Sequence, residues 1–275
     1  MLLSRRTKVF KSRGLAPRLH HEINDRQEKV PGSDLQMRQA ARLAFVGAGG
    51  IGSHAISAAM KKGYRFIEQF DDDVVDLSNL TRQLYDGTDV GHYKTHATGR
   101  RLKQAAIFPL NYVSHPFRLQ ECFTLEDDVD PGFDLIIAGV DNNPTRRFVT
   151  LFGINHSIPV IHVAIGRDAN ALCISVQEPE KACWACQFPQ HLNNNEYPCG
   201  LPSCIDGLAV ACGLIMHAAD SLITDRPREW NFRQIYMDGG LPDQTRTIDR
   251  RPDCPLCSKR SHIPEVGTEQ QELTQ

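Results

Sequence analysis

Continuous apolar runs of strand length recur along the first part of the chain. They cover residues 42–46, 66–70, 133–140 and 159–165. Continuous rather than alternating apolarity is typical of a parallel strand that is covered on both faces. Between the first two runs, residues 53–62 have a helical pattern that ends at Gly63, a residue suited to a helix C-terminus. Strands and helices in alternation predict an α/β protein with a doubly wound sheet.

The pattern changes after Gly166, where the strand candidates become shorter. Residues 171–176 and 234–238 are predicted strands, and a helix lies between them. One face of that helix is apolar, with Leu208, Ala211, Ile215, Ala218 and Leu222 at three- and four-residue steps. Such spacing indicates a buried helix face. We therefore predict a mixed second half that carries a substrate platform.

The composition is that of an ordinary globular protein and narrows the function classes. Of the 275 residues, 41% are apolar and 23% are charged, and the formal net charge is −2. Neither disorder nor a global basic field is indicated, so nucleic acid is disfavoured as the main partner. The longest apolar stretch, residues 207–223, contains His217 and Asp220, which argues against a membrane span. The basic N-terminus lacks an apolar signal region, so we expect a cytoplasmic protein.

A glycine cluster follows the first predicted strand and opens a helix, which is the context of a phosphate-binding G-x-G-x-x-G motif. The cluster comprises Gly47, Gly49, Gly50 and Gly52. In this motif the first glycine permits a tight turn, the second lets phosphate approach the backbone, and the last allows helix–strand packing. The helix N-terminus offers free N–H groups to a phosphate, and Asp71 follows the second strand as a ribose-binding acid. These residues predict a nucleotide site without deciding which nucleotide.

The segment after Asp71 contains charged and polar residues that a hydride-transfer site does not need. They are Asp73, Asn79, Arg82, Gln83 and Lys94. An enzyme that directs a carboxylate onto the α-phosphate of ATP needs cations there, because two anions about 4 Å apart repel by roughly 4 kcal/mol at an effective dielectric constant of about 20. Arg82 can bind phosphate oxygens, and Lys94 can neutralise charge that develops at phosphorus. Asp141, after a later strand, can hold a Mg²⁺ ion that bridges phosphate oxygens.

In order along the chain, these motifs resemble the ThiF/MoeB family of adenylating domains, which are related to ubiquitin-activating enzymes. The matching motifs are G-x-G-G-x-G-S, D-x-D-x-V-x-x-S-N-L-x-R-Q, a lysine about a dozen residues later, and D-N-x-x-x-R, within roughly residues 26–257. The resemblance implies a Rossmann-like ATP domain that adenylates the C-terminal glycine carboxylate of a ubiquitin-like or sulfur-carrier protein and releases pyrophosphate. It also implies a homodimer.

The resemblance implies roles for individual residues. Asp71 would bind the ribose, Asn79, Arg82 and Lys94 would bind phosphates, and Asp141 would hold Mg²⁺ and support adenylation. The remaining residues of the expected ATP site are the four glycines, Asp73, Gln83 and Asn142. Arg26 resembles an arginine that reaches into the partner subunit's nucleotide site, with an ordinary exposed arginine as the alternative.

Four of the nine cysteines form two C-x-x-C pairs, Cys183 with Cys186 and Cys254 with Cys257. This spacing is typical of a tetrahedral zinc site with four thiolate ligands. The absence of an export signal favours metal or thiol chemistry over a disulfide framework. The resemblance includes such a zinc site and implies a structural role.

Two further cysteines, Cys199 and Cys204, precede the apolar helix of the second half. A thiolate just before a helix N-terminus is stabilised by the helix dipole, so it could attack an acyl adenylate and form a thioester. In the family, a cysteine a few residues before a glycine at this helix start is reactive in some members and idle in others. Cys204 matches that position best, and Cys199 is the second choice. The alternative is that both are incidental and the reaction ends at the adenylate.

The predicted organisation is one ThiF-like adenylation domain with short flanking segments. A basic, polar N-terminal arm (1–34) precedes the domain (35–262), which has a nucleotide-binding half (about 42–166) and a substrate and zinc half (about 167–262), and a polar tail (263–275) follows. We expect ATP, Mg²⁺ and Zn²⁺ as cofactors. The compact chain resembles the bacterial branch of the family, whose members serve either conjugation or sulfur transfer. A conjugating enzyme or a sulfurtransferase would accordingly be a further partner.

Two other functions stay open at this point. One is adenylation of a peptide C-terminus or of a carboxylate on modified tRNA, for which the basic arm would contribute to binding. The other is a non-catalytic partner subunit of a split activating enzyme. That second alternative expects damaged phosphate-binding residues, whereas Arg82, Lys94 and Asp141 are all present.

Overall fold

A mixed nine-stranded sheet lies at the centre of the computed structural model, which describes residues 5–126, 129–166, 168–192 and 203–258. Its strands are β1 (Lys8–Ser12), β2 (Arg42–Val46), β3 (Phe66–Phe70), β4 (Leu110–His115), β5 (Leu135–Ala138), β6 (Val160–Ile165), β7 (Ala171–Gln177), β8 (Phe232–Tyr236) and β9 (Gln244–Arg246). Their spatial order is β1-β4-β3-β2-β5-β6-β7-β8-β9. The five strands from β4 to β6 are parallel, and β1, β7, β8 and β9 are antiparallel to their neighbours. The prediction of an α/β sheet with a parallel first half and a mixed second half is confirmed.

Helices cover both faces of this sheet. They are α1 (His20–Glu28), α2 (Leu35–Ala40), α3 (Gly50–Lys62), α4 (Lys94–Ala105), α5 (Leu119–Cys122), α6 (Asn143–Asn155), α7 (Trp184–Gln187) and α8 (Ile205–Ile223). Successive side chains of a strand point to opposite faces. Leu43 and Phe45 of β2 accordingly share one core with α3 and α8, whereas Ala44 and Val46 share the other with α6. Both faces of β2 are therefore buried, as its continuous apolar sequence indicates.

Part of the predicted basic, polar N-terminal arm (1–34) forms a strand of the sheet. β1 pairs with β4 over all five of its residues, and Phe10 packs against the central core. This pairing satisfies backbone N–H and C=O groups along an otherwise open edge of β4. Lys8 and Lys11 are exposed because β1 is itself an edge strand. Their charges, together with the surrounding basic residues, concealed the strand in the sequence.

Helix α8 is long and apolar enough to cross a membrane, judged by length and composition alone. In the fold it packs against α3 and against strands β6 and β7. Its Asp220 is buried and accepts hydrogen bonds from Arg38 and Tyr64, and it pairs with Lys62 at 2.7 Å. A helix that packs on the sheet and carries a buried carboxylate with several partners is a core helix of a globular domain.

Candidate nucleotide site

The glycine loop joins β2 to α3 and has open space in front of it at one position. A Cβ on Gly52 would lie 2.2 Å from the Gly47 carbonyl oxygen, and one on Gly50 would lie 2.9 Å from the Leu208 side chain. A Cβ on Gly49 would meet no atom within 4 Å. Gly52 and Gly50 therefore serve close packing within the protein, whereas Gly49 borders the space that a phosphate would enter. Gly47 completes the turn with a φ of 104°.

The carboxylate of Asp71 lies at the end of β3 and contacts this loop. Its two oxygens accept hydrogen bonds from the N–H groups of Ala48 (2.7 Å) and Asp73 (2.9 Å). Burial raises the pKa of Asp71 to about 6, while the nearby Lys94 ammonium and the two backbone donors lower it. Asp71 thus lies beside the glycine loop, and its contact with a ribose stays a prediction.

Lys94 is the first residue of α4 and is largely buried among carboxylates. Its ammonium Nζ lies 2.6 Å from Oδ2 of Asp73, and 9% of its side chain is exposed. Burial lowers the pKa of Lys94, but Asp71, Asp73 and Asp141 outweigh that effect, so the pKa lies above its ordinary value. The lysine is therefore a fixed positive charge beside the glycine loop.

Asp141 follows β5 and is exposed at the same edge of the sheet. The next residue, Asn142, is the N-cap of α6 and accepts a hydrogen bond from the Thr145 N–H at 2.9 Å. Carboxylate oxygens are the ligands that Mg²⁺ prefers, so the chemistry of Asp141 fits the predicted metal role. The side-chain oxygen of Asn142 is already used by this capping hydrogen bond. A contact between Asn142 and ATP therefore stays a prediction.

Asn79, Arg82 and Gln83 lie in the loop between β3 and α4. Asn79 is buried, and its side-chain oxygen accepts a hydrogen bond from the Asp76 N–H, so it holds the loop together. The Arg82 guanidinium donates to the Ser78 carbonyl at 2.6 Å, while the His54 ring donates to the Arg82 carbonyl. Arg82 thus lies beside the start of α3, although its guanidinium contacts its own loop. The Oε1 atom of Gln83 is buried and has no partner in the described part of the chain.

The four predicted metal ligands converge in the second half of the fold. The Sγ atoms of Cys183 and Cys186 are 3.8 Å apart, those of Cys183 and Cys254 3.6 Å, and those of Cys186 and Cys257 3.5 Å. All four residues are buried, and their sulfur atoms lie within 4.8 Å of one another. These separations exceed the roughly 2 Å of a disulfide and match the roughly 3.8 Å edge of a tetrahedron with zinc–sulfur bonds of about 2.3 Å. The cluster fits a Zn²⁺ ion.

The remaining predicted residues lie in different places. Cys204 is exposed and is the N-cap of α8, one turn before Leu208, whose side chain borders Gly50. One helical turn, about 5.4 Å along the axis, thus separates Cys204 from a residue that contacts the glycine loop. Cys199 lies outside the described residues. Arg26 is on α1, where Gln27 contacts Lys61 at the far end of α3, so Arg26 is remote from the site of its own chain.

Comparison with known proteins identifies the family. The ThiF family matches residues 25–254 of this sequence. The chain belongs to the ThiF family. It is an enzyme of the adenylyltransferase type, as its relatives are.

The relatives of this ThiF-family chain include activating enzymes and adenylyltransferases. It is 28% identical over 226 residues to a SAMP-activating enzyme E1 of Haloferax volcanii, covering 80% of this chain and 81% of the relative. It is 27% identical to a sulfur carrier protein adenylyltransferase of Thermus thermophilus, covering 79% and 82%. The chain spans about half the length of other relatives that are named adenylyltransferase and sulfurtransferase. In fold it is similar to Escherichia coli MccB crystallised with ATP, with a TM-score of 0.65, 20% identity, and coverage of 81% and 68%.

Two buried side chains of this ThiF-family chain contact the glycine loop and were missed by sequence reasoning. The Tyr85 hydroxyl donates to the Ala48 carbonyl at 2.8 Å, and the Gln69 amide donates to the Gly47 carbonyl at 3.2 Å. Gln69 is fully buried, with Tyr112 donating to its oxygen at 2.7 Å. A glutamine within the apolar strand sequence F-I-E-Q-F is the one signal that could have drawn attention to this support.

Proposed function

We propose that this enzyme activates the C-terminal glycine carboxylate of a ubiquitin-like or sulfur-carrier protein by joining it to AMP. In the reaction, a carboxylate oxygen of the carrier bonds to the α-phosphorus of ATP. The bond from that phosphorus to the bridging oxygen breaks, and pyrophosphate leaves with the electron pair. The observation that carries the proposal is the buried Lys94 ammonium beside a glycine loop with open space at Gly49, in a chain of the ThiF family.

Lys94 answers the main electrostatic difficulty of this reaction. An anionic carboxylate must approach a polyanionic triphosphate, and a positive charge already in place lowers their repulsion without reorganisation. Asp73 accepts a hydrogen bond from the ammonium, and the charges of Asp71, Asp73 and Asp141 raise the pKa of Lys94, so the ammonium is in place before ATP binds. Arg82, beside the start of α3, can turn from the Ser78 carbonyl toward phosphate oxygens, which a guanidinium binds well. The free N–H groups at the start of α3 complete the anion site.

Magnesium fits the carboxylates at this edge of the sheet. Asp141 would hold the ion, which when bound would neutralise charge on the phosphates. Asp73 is exposed at the same cleft and is already paired with Lys94. Separate residues would therefore contribute the metal ligand and the fixed ammonium.

A thioester on Cys204 is the proposed second step. The thiolate would attack the acyl carbon of the adenylate, forming a carbon–sulfur bond and releasing AMP. Support comes from the position of Cys204, exposed at the start of α8 and one turn from Leu208, which borders Gly50. Cys199 remains the second choice for the same role.

The four-cysteine cluster is proposed to bind a structural Zn²⁺ ion. It joins the α7 region to the turn at residues 254–257. The cysteines of each contacting pair, Cys183 with Cys254 and Cys186 with Cys257, are 71 residues apart along the chain. With four protein ligands, such a site leaves no position for a substrate. We also propose that the protein forms a homodimer in which Arg26 reaches into the partner's nucleotide site. The proposed location is cytoplasmic.

Pyrophosphate exchange into ATP tests the proposal directly. The unaltered protein is incubated with ATP, Mg²⁺, labelled pyrophosphate and a panel of ubiquitin-like and sulfur-carrier proteins that end in glycine. We expect exchange that depends on one carrier and disappears when its terminal glycine is deleted. Exchange with a short peptide or a modified tRNA instead would favour the other acceptors. No exchange with any carrier, under conditions where ATP binds, would refute the assignment.

A further inference from the structure

The peptide groups on both sides of Ala48 are held by buried side chains. The Ala48 N–H donates to Asp71 at 2.7 Å, and the Ala48 carbonyl accepts from the Tyr85 hydroxyl at 2.8 Å. The preceding carbonyl, that of Gly47, accepts from Gln69 at 3.2 Å. Three different side chains thus fix two successive peptide planes of the turn.

The Tyr85 contact determines where the next N–H group points. In a trans peptide, the C=O and the N–H of the same unit point in opposite directions. The Ala48 carbonyl and the Gly49 N–H belong to one such unit. Because Tyr85 holds the carbonyl on the protein side, the Gly49 N–H is turned toward the opposite side. This N–H has no acceptor in the described part of the chain. Gly49 itself borders open space, since a Cβ there would meet no atom within 4 Å.

Tyr85 is itself fixed in one orientation. Its side chain is 5% exposed and packs with Val75 and Ala97. Its hydroxyl hydrogen is directed to Ala48, so Thr98 of α4, 3.2 Å away, donates to the tyrosine oxygen. The tyrosine therefore joins α4, which begins with Lys94, to the glycine loop. It contacts the loop through the Ala48 carbonyl.

We propose that Tyr85 is a positioning residue for the phosphates of ATP, acting through the Ala48 carbonyl to aim the Gly49 N–H at them. This inference rests on the proposed function, since it takes ATP as the ligand of the glycine loop. It predicts a specific defect when the hydroxyl is removed. Binding of the phosphates weakens, whereas binding of the nucleoside part, which Asp71 contacts, does not.

The test compares ATP and adenosine binding to the full-length Tyr85→Phe protein. One lost hydrogen bond contributes about 0.7–1.4 kcal/mol, so the Kd for ATP with Mg²⁺ should rise about three- to tenfold. The Kd for adenosine should change less than about twofold. Calorimetry measures the Kd for ATP, and an NMR titration measures the Kd for adenosine. Tyr64→Phe is the matched control, because it removes another buried hydroxyl hydrogen bond, to Asp220, far from the loop.

Each outcome has a distinct meaning. Weaker ATP binding with unchanged adenosine binding, in Tyr85→Phe and not in Tyr64→Phe, supports the positioning role. Equal weakening of both ligands, or a lowered melting temperature that accounts for the change, shows a general structural role and overturns it. Unchanged ATP binding overturns it too. If the unaltered protein does not bind ATP, the proposed function fails as well, which separates the two results.

Discussion

The proposed nucleotide cleft and the cysteine cluster differ in how open they are. The cleft is open, and its charged groups, Asp71, Lys94 and Asp141, follow the ends or starts of different elements. The cluster is closed, and its four cysteines are buried with their sulfur atoms within 4.8 Å of one another. In the cleft, there is open space at Gly49, and Lys94 lies among acidic side chains. In the cluster, the protein would supply all four ligands of the proposed Zn²⁺ ion.

This difference indicates how each region should respond to substitution. If the closed cluster binds Zn²⁺ as proposed, it needs all four ligands, so one change there should affect the stability of the whole second half. The open cleft is supported by hydrogen bonds behind the loop, so changes there should affect ligand binding more than folding.

Replacing one cluster cysteine, Cys254→Ser, should have the largest effect. We expect zinc content to fall from one ion per chain to near zero. The free energy of unfolding should fall by more than about 3 kcal/mol, because a metal-binding term is lost and a buried hydroxyl is left in its place. Metal analysis and denaturant unfolding measure both quantities. The exposed Cys204→Ser should keep its zinc and its stability, and a stable, zinc-free Cys254→Ser protein would contradict the structural role.

Lys94→Met should abolish most catalysis while preserving the fold. Loss of the fixed ammonium should lower carrier-dependent pyrophosphate exchange by about 10²–10³-fold. Lys103→Met is the control, since this exposed lysine lies on the same helix away from the carboxylates. Comparable exchange rates in the two variants would remove Lys94 from the reaction.

Two glycine substitutions should separate packing from ligand space within one loop. Gly52→Ala places a methyl group 2.2 Å from the Gly47 carbonyl oxygen, so unfolding free energy should fall by about 1–3 kcal/mol. Gly49→Ala meets no protein atom, so stability should change by less than about 0.5 kcal/mol. Its methyl group enters the ligand space, so the Kd for ATP should rise about five- to hundredfold. Thermal unfolding and calorimetry of both variants decide the matter, and a reversed pattern would place the ligand elsewhere.

The pH dependence of ATP binding should show the smallest effect. Burial raises the pKa of Asp71 to about 6, above its ordinary 3.8. As pH falls through about 6, the carboxylate gains a proton and loses an acceptor for a ribose hydroxyl, so the Kd should rise about three- to tenfold by about pH 5. Asp71→Asn should lack this component while retaining the titration of ATP itself. Identical pH profiles would show that Asp71 does not bind the nucleoside.

The same pKa shift affects stability with the opposite sense. The folded state holds the Asp71 proton more tightly than the unfolded chain does. The contribution of this group to the free energy of unfolding therefore decreases as pH rises from about 4 to about 6. Asp71 is thus ionised at neutral pH at some cost to stability, at a position that supports the glycine turn.

The sequence predicted the sheet well where one physical signal dominated. The boundaries of β2 and β3 are as predicted, because both faces of these strands are buried and the apolar runs are unbroken. Helix α3 begins at Gly50 rather than residue 53, since glycines at a phosphate-binding turn enter the helix despite their low propensity. The β8 strand, Phe232–Tyr236, begins two residues earlier than predicted, at the poorly patterned edge of the mixed half.

Prediction was incomplete where tertiary contacts decide the outcome. β1 is polar because it is an edge strand, and its pairing with β4 is a contact over about 100 residues of chain. The support of the glycine loop by Tyr85 and Gln69 depends on hydrogen bonds between distant segments, which no local pattern encodes. The convergence of the C-x-x-C pairs was predicted because metal-ligand spacing is itself a strong local signal.

The most direct test of the central claim is a crystal structure of the protein with Mg²⁺ and a non-hydrolysable ATP analogue. We predict the phosphates before Gly49, within hydrogen-bonding distance of its N–H, with Lys94 and Arg82 in contact with phosphate oxygens and the ribose beside Asp71. A nucleotide bound away from the glycine loop, with Lys94 still paired only to Asp73 and Arg82 to Ser78, would contradict the account.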